Sequence, residues 1–238
     1  VGRWQRNVTW KRYIKMTSLN KATLNALAGG RHGNPFSLYG IQKENGRRIV
    51  RTFQPGAESV ELVVEGVGEG QRMQRVHSSG IFETSMPARK RVYRLRLNFH
   101  DGSSREVDDA YRFPSLLGDL DLYLIGQGSH RDIFKKLGAH PASLLGVDGT
   151  SFAVWAPNAS RVSVIGEFNG WDGRCHVMRL HPANGIWEIF VPGVNHGAQY
   201  KFEMLDKHGG LLPFKSDPLG QFHEAPPGNA SVVYKSRY

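Results

Sequence analysis

One run in this 238-residue chain has the makings of a binding surface: Gly166-Glu167-Phe168-Asn169-Gly170-Trp171-Asp172. An indole in a polar turn just after a strand offers a flat apolar plate, and its amide and carboxylate neighbours offer hydrogen bonds. Sugar rings call for that combination, with C–H groups on their faces and hydroxyls at their rims. The competing reading makes Trp171 a plug that closes one end of a folded domain or packs on a further one. The other reactive residue types do not assemble into chemistry. Cys175, the single cysteine, excludes an internal disulfide and a multi-cysteine zinc site. It adjoins His176, but neighbours in a strand point to opposite faces, which separates a nucleophile from its base. His176 and His181 have no second ligand at metal spacing. The carboxylates Asp108-Asp109 and Asp119 with Asp121 fall in turns or on a helix, without sign of a paired acid and nucleophile. Turn formation or packing before Tyr111 accounts for the first pair. Gly66, Gly68 and Gly70 have the wrong spacing for a dinucleotide loop and read as a hairpin loop. No catalytic residue, cofactor or metal is expected.

A formal charge of +10 invites a nucleic-acid reading, but its distribution weakens it. Arg3, Arg6, Lys11, Arg12 and Lys15 supply half of it within an acid-free stretch before the first plausible domain. Met16 reads as a natural start, which would make residues 1–15 upstream sequence; the rival is an Arg-rich targeting segment. No apolar run approaches the roughly 18 residues of a membrane span, and no secretory signal is visible. One cysteine agrees with the cytoplasm. No nucleic-acid or membrane partner is expected.

The elements that must position Trp171 show themselves by repetition. Phe53-Gln54-Pro55-Gly56-Ala57 through Val63 matches Trp155-Ala156-Pro157-Asn158-Ala159 through Ile165, 102 residues on. Gly80-Ile81-Phe82-Glu83 matches Gly185-Ile186-Trp187-Glu188, Met86-Pro87 matches Val191-Pro192, Tyr93-Arg94-Leu95-Arg96 matches Tyr200-Lys201-Phe202-Glu203, and Asp109 matches Asp217. Val60, Leu62 and Val64 alternate with polar residues, as do Tyr93, Leu95, Leu97 and Phe99, then Val162 and Val164, then Tyr200, Phe202 and Met204. Trp155 and Trp187 read as core. Turns are expected at Asn45-Gly46, Asp101-Gly102, Asp148-Gly149, Asn184-Gly185 and His208-Gly209-Gly210. The fold class is all-β: two tandem immunoglobulin-like antiparallel β-sandwiches. Helices are expected over 18–28, with Thr17-Ser18 as N-cap pair and Gly29-Gly30 as stop, and over 115–125, with Leu116, Leu117, Leu120 and Leu124 on one face. The second helix reads as the joint, giving an extension at 1–17 and domains at 18–127 and 128–238.

Residues 151–172, Ser-Phe-Ala-Val-Trp-Ala-Pro through Phe-Asn-Gly-Trp-Asp, resemble the family-48 carbohydrate-binding module, which precedes the barrel of family-13 glycoside hydrolases. Gly185–Glu188, Val191-Pro192-Gly193, Tyr200–Glu203 and Lys215-Ser216-Asp217-Pro218 continue the agreement. Arg31-His32-Gly33-Asn34-Pro35-Phe36-Ser37-Leu38-Tyr39-Gly40, Asp109–Phe113 and Leu137-Gly138-Ala139-His140 are similar to the extra N-terminal domain of bacterial glycogen branching enzymes. The resemblance implies a non-catalytic, glucan-associated front end of such an enzyme, with weak binding of glycogen or starch. It implies stacking on Trp171, a hydroxyl bond from Lys201 and a further contact at Asn229. The alternatives are a stand-alone glycogen- or starch-binding module and a non-functional truncated product. One departure is expected: His208-Gly209-Gly210-Leu211 lacks the second aromatic plate of strong glycogen binders. The family's (β/α)₈ barrel needs roughly 250 further residues, so the chain reads as a fragment whose natural partner is that barrel. Leu219, Phe222, Pro226, Pro227 and Val232 then read as the orphaned docking patch.

Overall fold

The computed structural model describes residues 17–86 and 92–235. The expected start at Met16, the stretch before it and the match of Pro87 to Pro192 lie outside them.

The first half carries β1 (Gly40–Glu44), β2 (Arg47–Phe53), β3 (Ser59–Val64), β4 (Gln71–Arg72), β5 (Gln74–His77), β6 (Ile81–Ser85), β7 (Tyr93–Asn98) and β8 (Ser104–Val107). They form two antiparallel sheets in the orders β1-β2-β6-β5 and β4-β3-β7-β8. The second half carries β9 (Gly138–Leu144), β10 (Val147–Trp155), β11 (Arg161–Gly166), β12 (Arg179–His181), β13 (Ile186–Pro192), β14 (Gln199–Leu205), β15 (Phe222–His223) and β16 (Ser231–Val232). Their orders are β9-β10-β13-β12 and β11-β14-β16-β15. Two sandwiches result, as the alternation required. Val60, Leu62 and Val64 lie opposite Leu97, Leu95 and Tyr93 in one core. Val162 and Val164 join Phe152, Trp187, Tyr200 and Phe202 in the other. Each large apolar side chain buried there contributes about 1.5–3 kcal/mol.

The repeat extends to single hydrogen bonds. The Gln54 amide donates to the Gly80 carbonyl (2.8 Å), as Ala156 does to Gly185 (2.9 Å). Met73 donates to Val60, and Met178 to Val162, both at 2.8 Å. The Tyr93 hydroxyl donates to Asp109 at 2.5 Å, and Tyr200 to Asp217 at 2.7 Å. Gly80 and Gly185 both have positive φ, and a Cβ at either would strike the opposing turn, within 2.6 Å of the Gln54 oxygen or 2.5 Å of Pro157 Cβ. Glu83 and Glu188, equivalent in the repeat, each hold the chain leading into their sandwich. Glu83 accepts from Thr17 Oγ1 and pairs with Arg51. Glu188 accepts from the Leu116 and Leu117 amides, His181 and Arg179.

Three local expectations need correction. Helix α1 is Lys21–Ala28, capped by Asn20, whose Oδ1 accepts from the Thr23 amide at 2.8 Å, so Thr17-Ser18 is not its cap. Leu24 and Leu27 are buried as expected. Helix α2 is Asp119–Gly126. Leu116 and Leu117 precede it, Leu120 is exposed, and Leu122 and Ile125 pack with Leu117, Leu137, Ala153 and Ile186 over the outer face of the β9–β13 sheet. The Leu116 and Leu117 amides donate to the Glu188 carboxylate in place of helix bonds, and the helix begins after Gly118, whose amide donates to Asp121. The turn near Asp148-Gly149 is instead Leu145-Gly146; Gly149 lies within β10, where a Cβ would meet the Val191 oxygen at 2.5 Å.

The sandwiches are bolted together by Tyr111. Its hydroxyl donates to the Cys175 carbonyl (3.3 Å) and accepts from the Val177 amide (3.1 Å). Its ring packs on Phe36 and Tyr39. The Arg179 guanidinium covers Phe36 at 4.1 Å, and Arg174 approaches Phe53 at 5.5 Å. These contacts, with Gly30 against Arg161 and Arg174, close the space beside β11, whose six residues are all buried.

Two predictions follow from local geometry. Leu145 takes φ +53° in a two-residue hairpin turn, where its equivalent is Asn45 at +48°. A branched side chain in that region costs about 1–2 kcal/mol, and Leu145 is exposed, so Leu145→Asn raises the urea midpoint by an amount equivalent to about 1 kcal/mol. Burial alone would raise the Glu188 pKa, but donors from His181 and Ser115 and the charge of Arg179 bring it below its ordinary value. Its folded pKa is thus depressed, and its contribution is present above the unfolded value of roughly 4.3 and lost as pH falls through the folded one. Glu188→Gln lowers stability at pH 7 by about 3 kcal/mol and flattens the acid limb, read by thermal melts from pH 7 to pH 3.

Candidate functional site

In an antiparallel pair, directly opposed residues share a face. β11 against β14 therefore puts Val162, Val164 and Gly166 with Met204, Phe202 and Tyr200 on the inner face. Arg161, Ser163 and Ile165 with Leu205, Glu203 and Lys201 form the outer face. Lys201 Nζ there donates to Asn229 Oδ1, and Ser216 Oγ donates to the Asn229 carbonyl. Two of the three residues expected to bind are thus in contact.

Trp171 is carried by the turn after β11. Asn169 organises that turn: its Oδ1 accepts from the Gly166 amide (3.0 Å), and its Nδ2 donates to the Val164 carbonyl (3.0 Å) and to His176 Nδ1 (2.9 Å). Gly170 and Trp171 take φ +62° and +59°, and the chain reverses so that the Trp171 amide reaches the Gly166 carbonyl at 2.9 Å. The loop then crosses the outer face. The Gly173 carbonyl accepts from Arg161 Nη1 at 2.9 Å, Gly173 lies against Glu203, and Arg161 pairs with Glu203. Burial would raise the Asp172 carboxyl, but the hydrogen bonds and charge of Arg174 hold it below the usual carboxylate value. Trp171 is half-buried, and among the described residues its indole has no hydrogen-bond partner. The other two described tryptophans differ: Trp155 Nε1 donates to the Asn184 carbonyl and Trp187 Nε1 to the Ala156 carbonyl. Trp187 is core, as expected. Trp155 is not; it is 61% exposed, because Val154 takes the inner position of β10 and leaves Trp155 on the outer face.

The outer face also holds a residue that the sequence reading passed over. Phe202 and Lys215 exchange backbone hydrogen bonds of 2.8 and 2.9 Å, which sets Phe214 beside Glu203 and Ser216 beside Lys201. Phe214 is 46% exposed. An aromatic does therefore follow the Tyr200-Lys201-Phe202 strand, beyond the turn where one was sought. Pro213 lacks an N–H and breaks the ladder, so the Leu212 amide serves the Met204 carbonyl and one extra residue is taken up. Counting back from Asp217, the Tyr200 partner, would have found Phe214.

Neither Cys175 nor His176 is chemically primed. Burial pushes the thiol up to about 12 and the imidazole down to about 4. Among the described residues, no group of three His, Cys, Asp or Glu is placed to share a cation. No described helix is long and apolar enough to cross a membrane. In the stretch expected to form a docking patch, Leu219, Phe222, Pro226 and Pro227 are exposed and Val232 is half-buried.

Residues 20–111 match the family described as alpha-1,4-glucan branching enzyme GlgB, N-terminal domain, and residues 136–220 match carbohydrate-binding module 48 (isoamylase N-terminal domain). The chain is 49% identical over 217 residues to the 1,4-alpha-glucan branching enzyme of Paramagnetospirillum magneticum, covering 91% of this chain and 29% of that enzyme. It is 51% identical over 211 residues to that of Rubrobacter xylanophilus, covering 89% and 29%. A solved pullulanase from Anoxybacillus sp. LM18-11 aligns with a TM-score of 0.35 at 17% identity, over 83% of this chain and 28% of the pullulanase. The chain spans under a third of the length of these curated relatives. It belongs to the N-terminal region of the 1,4-alpha-glucan branching enzymes, and consists of their N-terminal domain joined to a carbohydrate-binding module 48.

Proposed function

We propose that the outer face of the β11–β14 sheet holds a stretch of α-glucan, weakly, for a cytoplasmic branching enzyme whose catalytic barrel is not among these residues. Trp171 and Phe214 serve as plates for sugar faces, and Lys201 and Asn229 bond hydroxyls at the rim. One observation carries this reading: an exposed Phe214 and the Lys201–Asn229 pair share the face that the Trp171 loop crosses. The free indole N–H supports it, since a structural plug commonly finds a partner for that donor. Within this reading the chain guides glucan and does not cut or transfer it. Affinity electrophoresis in glycogen gels tests the claim. The chain is retarded; Trp171→Ala and Phe214→Ala each weaken retardation about tenfold, the equivalent of roughly 1.4 kcal/mol for a lost plate. Unchanged wild-type mobility at high glycogen removes the glucan-binding claim and leaves the family membership standing.

The exposed Leu219 and Phe222 favour a companion reading. They fit an apolar contact with the rest of a branching enzyme, and such patches promote association when uncovered. The isolated chain is therefore expected to self-associate in size-exclusion chromatography with light scattering. A clean monomer at high concentration that binds no apolar dye removes this contact.

A further inference from the structure

The two sandwiches line a cleft of about 500 Å³ beside the Trp171 loop. The first sandwich contributes the turn 52–57, the ends of β7 and β8, and residues 108–111; the second contributes Glu167–Gly170, Cys175, His176 and 191–194. Its volume lies within the range of small-molecule sites. Pro55, Ala57, Phe99, Phe168, Pro192 and Val194 give it apolar walls.

The polar groups select the ligand. Asp108 already pairs with Arg112 at 2.6 Å and faces Arg94, while Asp109 is closed by Tyr93 and the Tyr111 amide. Arg105, its guanidinium 5.5 Å from the Phe99 ring, faces a lining that also holds Glu167. With Asp108 and Asp109 already engaged, Arg105 and Glu167 remain, one of each sign, so neither an anionic nor a cationic ligand finds a cluster of counter-charges. His176 supplies a directed donor. Asn169 is fixed by the Gly166 amide and the Val164 carbonyl, so its Nδ2–H must donate to His176 Nδ1. The neutral ring then carries its own proton on Nε2, which has no partner among the described residues. Apolar walls, balanced charge and a neutral donor suit a polyhydroxylated, uncharged ring with apolar faces.

We propose that this cleft between the sandwiches is a second glucan subsite, which takes a few glucose units of a chain that also crosses the outer face. It rests on the glucan reading above. Glu167–Gly170, Cys175 and His176 wall the cleft, and Gly173 of the same loop lies over the outer face, so one loop borders both sites and one ligand can pass over it.

Gly56 gives a clean block. It lines the cleft with ordinary φ, and a Cβ there meets nothing within 4 Å, so Gly56→Trp can fill the space without a backbone clash. The full chain is titrated with maltoheptaose by NMR, reading the His176 ring and the Trp171 indole N–H. In the wild type both respond. Gly56→Trp silences His176, preserves the Trp171 response and weakens overall affinity about tenfold through loss of the linked subsite. Gly56→Ala leaves both responses. In Trp171→Ala with Phe214→Ala, His176 still shifts at higher sugar concentration. A His176 ring that stays still while Trp171 saturates overturns the cleft and leaves the outer face standing. Silence of both reporters in the wild type overturns both. Should Gly56→Trp fail to fold, wild-type NOEs decide: contacts from sugar protons to the Phe99 and Phe168 rings support the cleft, and their absence at saturation overturns it.

Discussion

The hydrogen bond from Tyr93 to Asp109 sets the relation between the two halves of the molecule. Asp109 is fully inside, where burial raises its pKa, and the Tyr93 hydroxyl and Tyr111 amide oppose that rise. An uncompensated buried carboxylate costs several kcal/mol, so these donors are obligatory. Oδ2 accepts from the core of the first sandwich, and Oδ1 accepts from the Tyr111 amide at 3.0 Å, which starts the turn Ala110–Arg112. That turn delivers the Tyr111 hydroxyl to Cys175 and Val177. One carboxylate thus links the first core to the interdomain bolt. The second copy works the same way with a different outcome. Asp217 accepts from Tyr200 and the Leu219 amide, and its own amide donates to Ser231 Oγ. This fixes the exit segment so that Ser216 and Asn229 stand beside Lys201.

The duplicated scaffold explains why, among the described residues, the outer face of the second sandwich presents a candidate site and the corresponding face of the first does not. On the corresponding face of the first, Arg96 stands opposite Glu61 and Arg94 opposite Val63. Arg96 pairs with Glu61 at 3.0 Å and Glu106 at 2.8 Å, and Arg94 with Glu106 at 3.5 Å. These partly exposed pairs add little stability, but they occupy the donors a sugar would use. The link from β3 to β4, Glu65–Gly70, carries no aromatic. In the second copy the link after β11 is longer and contains Trp171, Lys201 replaces Arg94 in the repeat, and Phe214 stands beside Glu203.

Strand positions were legible because their inner faces obey a period of two and the repeat shows each of them twice. Failures arose where one contact outweighed a local pattern. Trp155 reads as core from its strand setting, yet alternation gives the inner position to Val154. Leu120 reads as part of an apolar face when the helix is started at residue 115, but α2 begins at Asp119 and turns Leu120 to solvent. Phe214 escaped because Pro213 shifts the alternation by one residue, so extending the β14 pattern past the turn gave the wrong face. Lys201 and Asn229 are 28 residues apart and follow no shared period; only the Asp217 anchor brings them together.

The two exposed tryptophan-bearing ends cannot act on one short ligand. Trp155 ends β10 and Trp171 follows β11, and consecutive strands of a sandwich run in opposite directions, so the end of one lies where the other begins. The two residues stand at opposite ends of the second sandwich. Trp155 is also tethered: its indole donor is committed to Asn184, and Asn184 Nδ2 donates to the Leu122 carbonyl of α2. The donor a ligand would need at that end is therefore already committed. At the other end the indole N–H has no partner among the described residues, Lys201 and Asn229 are in contact, and residues of the same loop line the interdomain cleft. The difference follows from which strand each tryptophan terminates: the end of β10 fixes its indole on a neighbouring carbonyl, and the turn after β11 leaves its indole unpaired among the described residues.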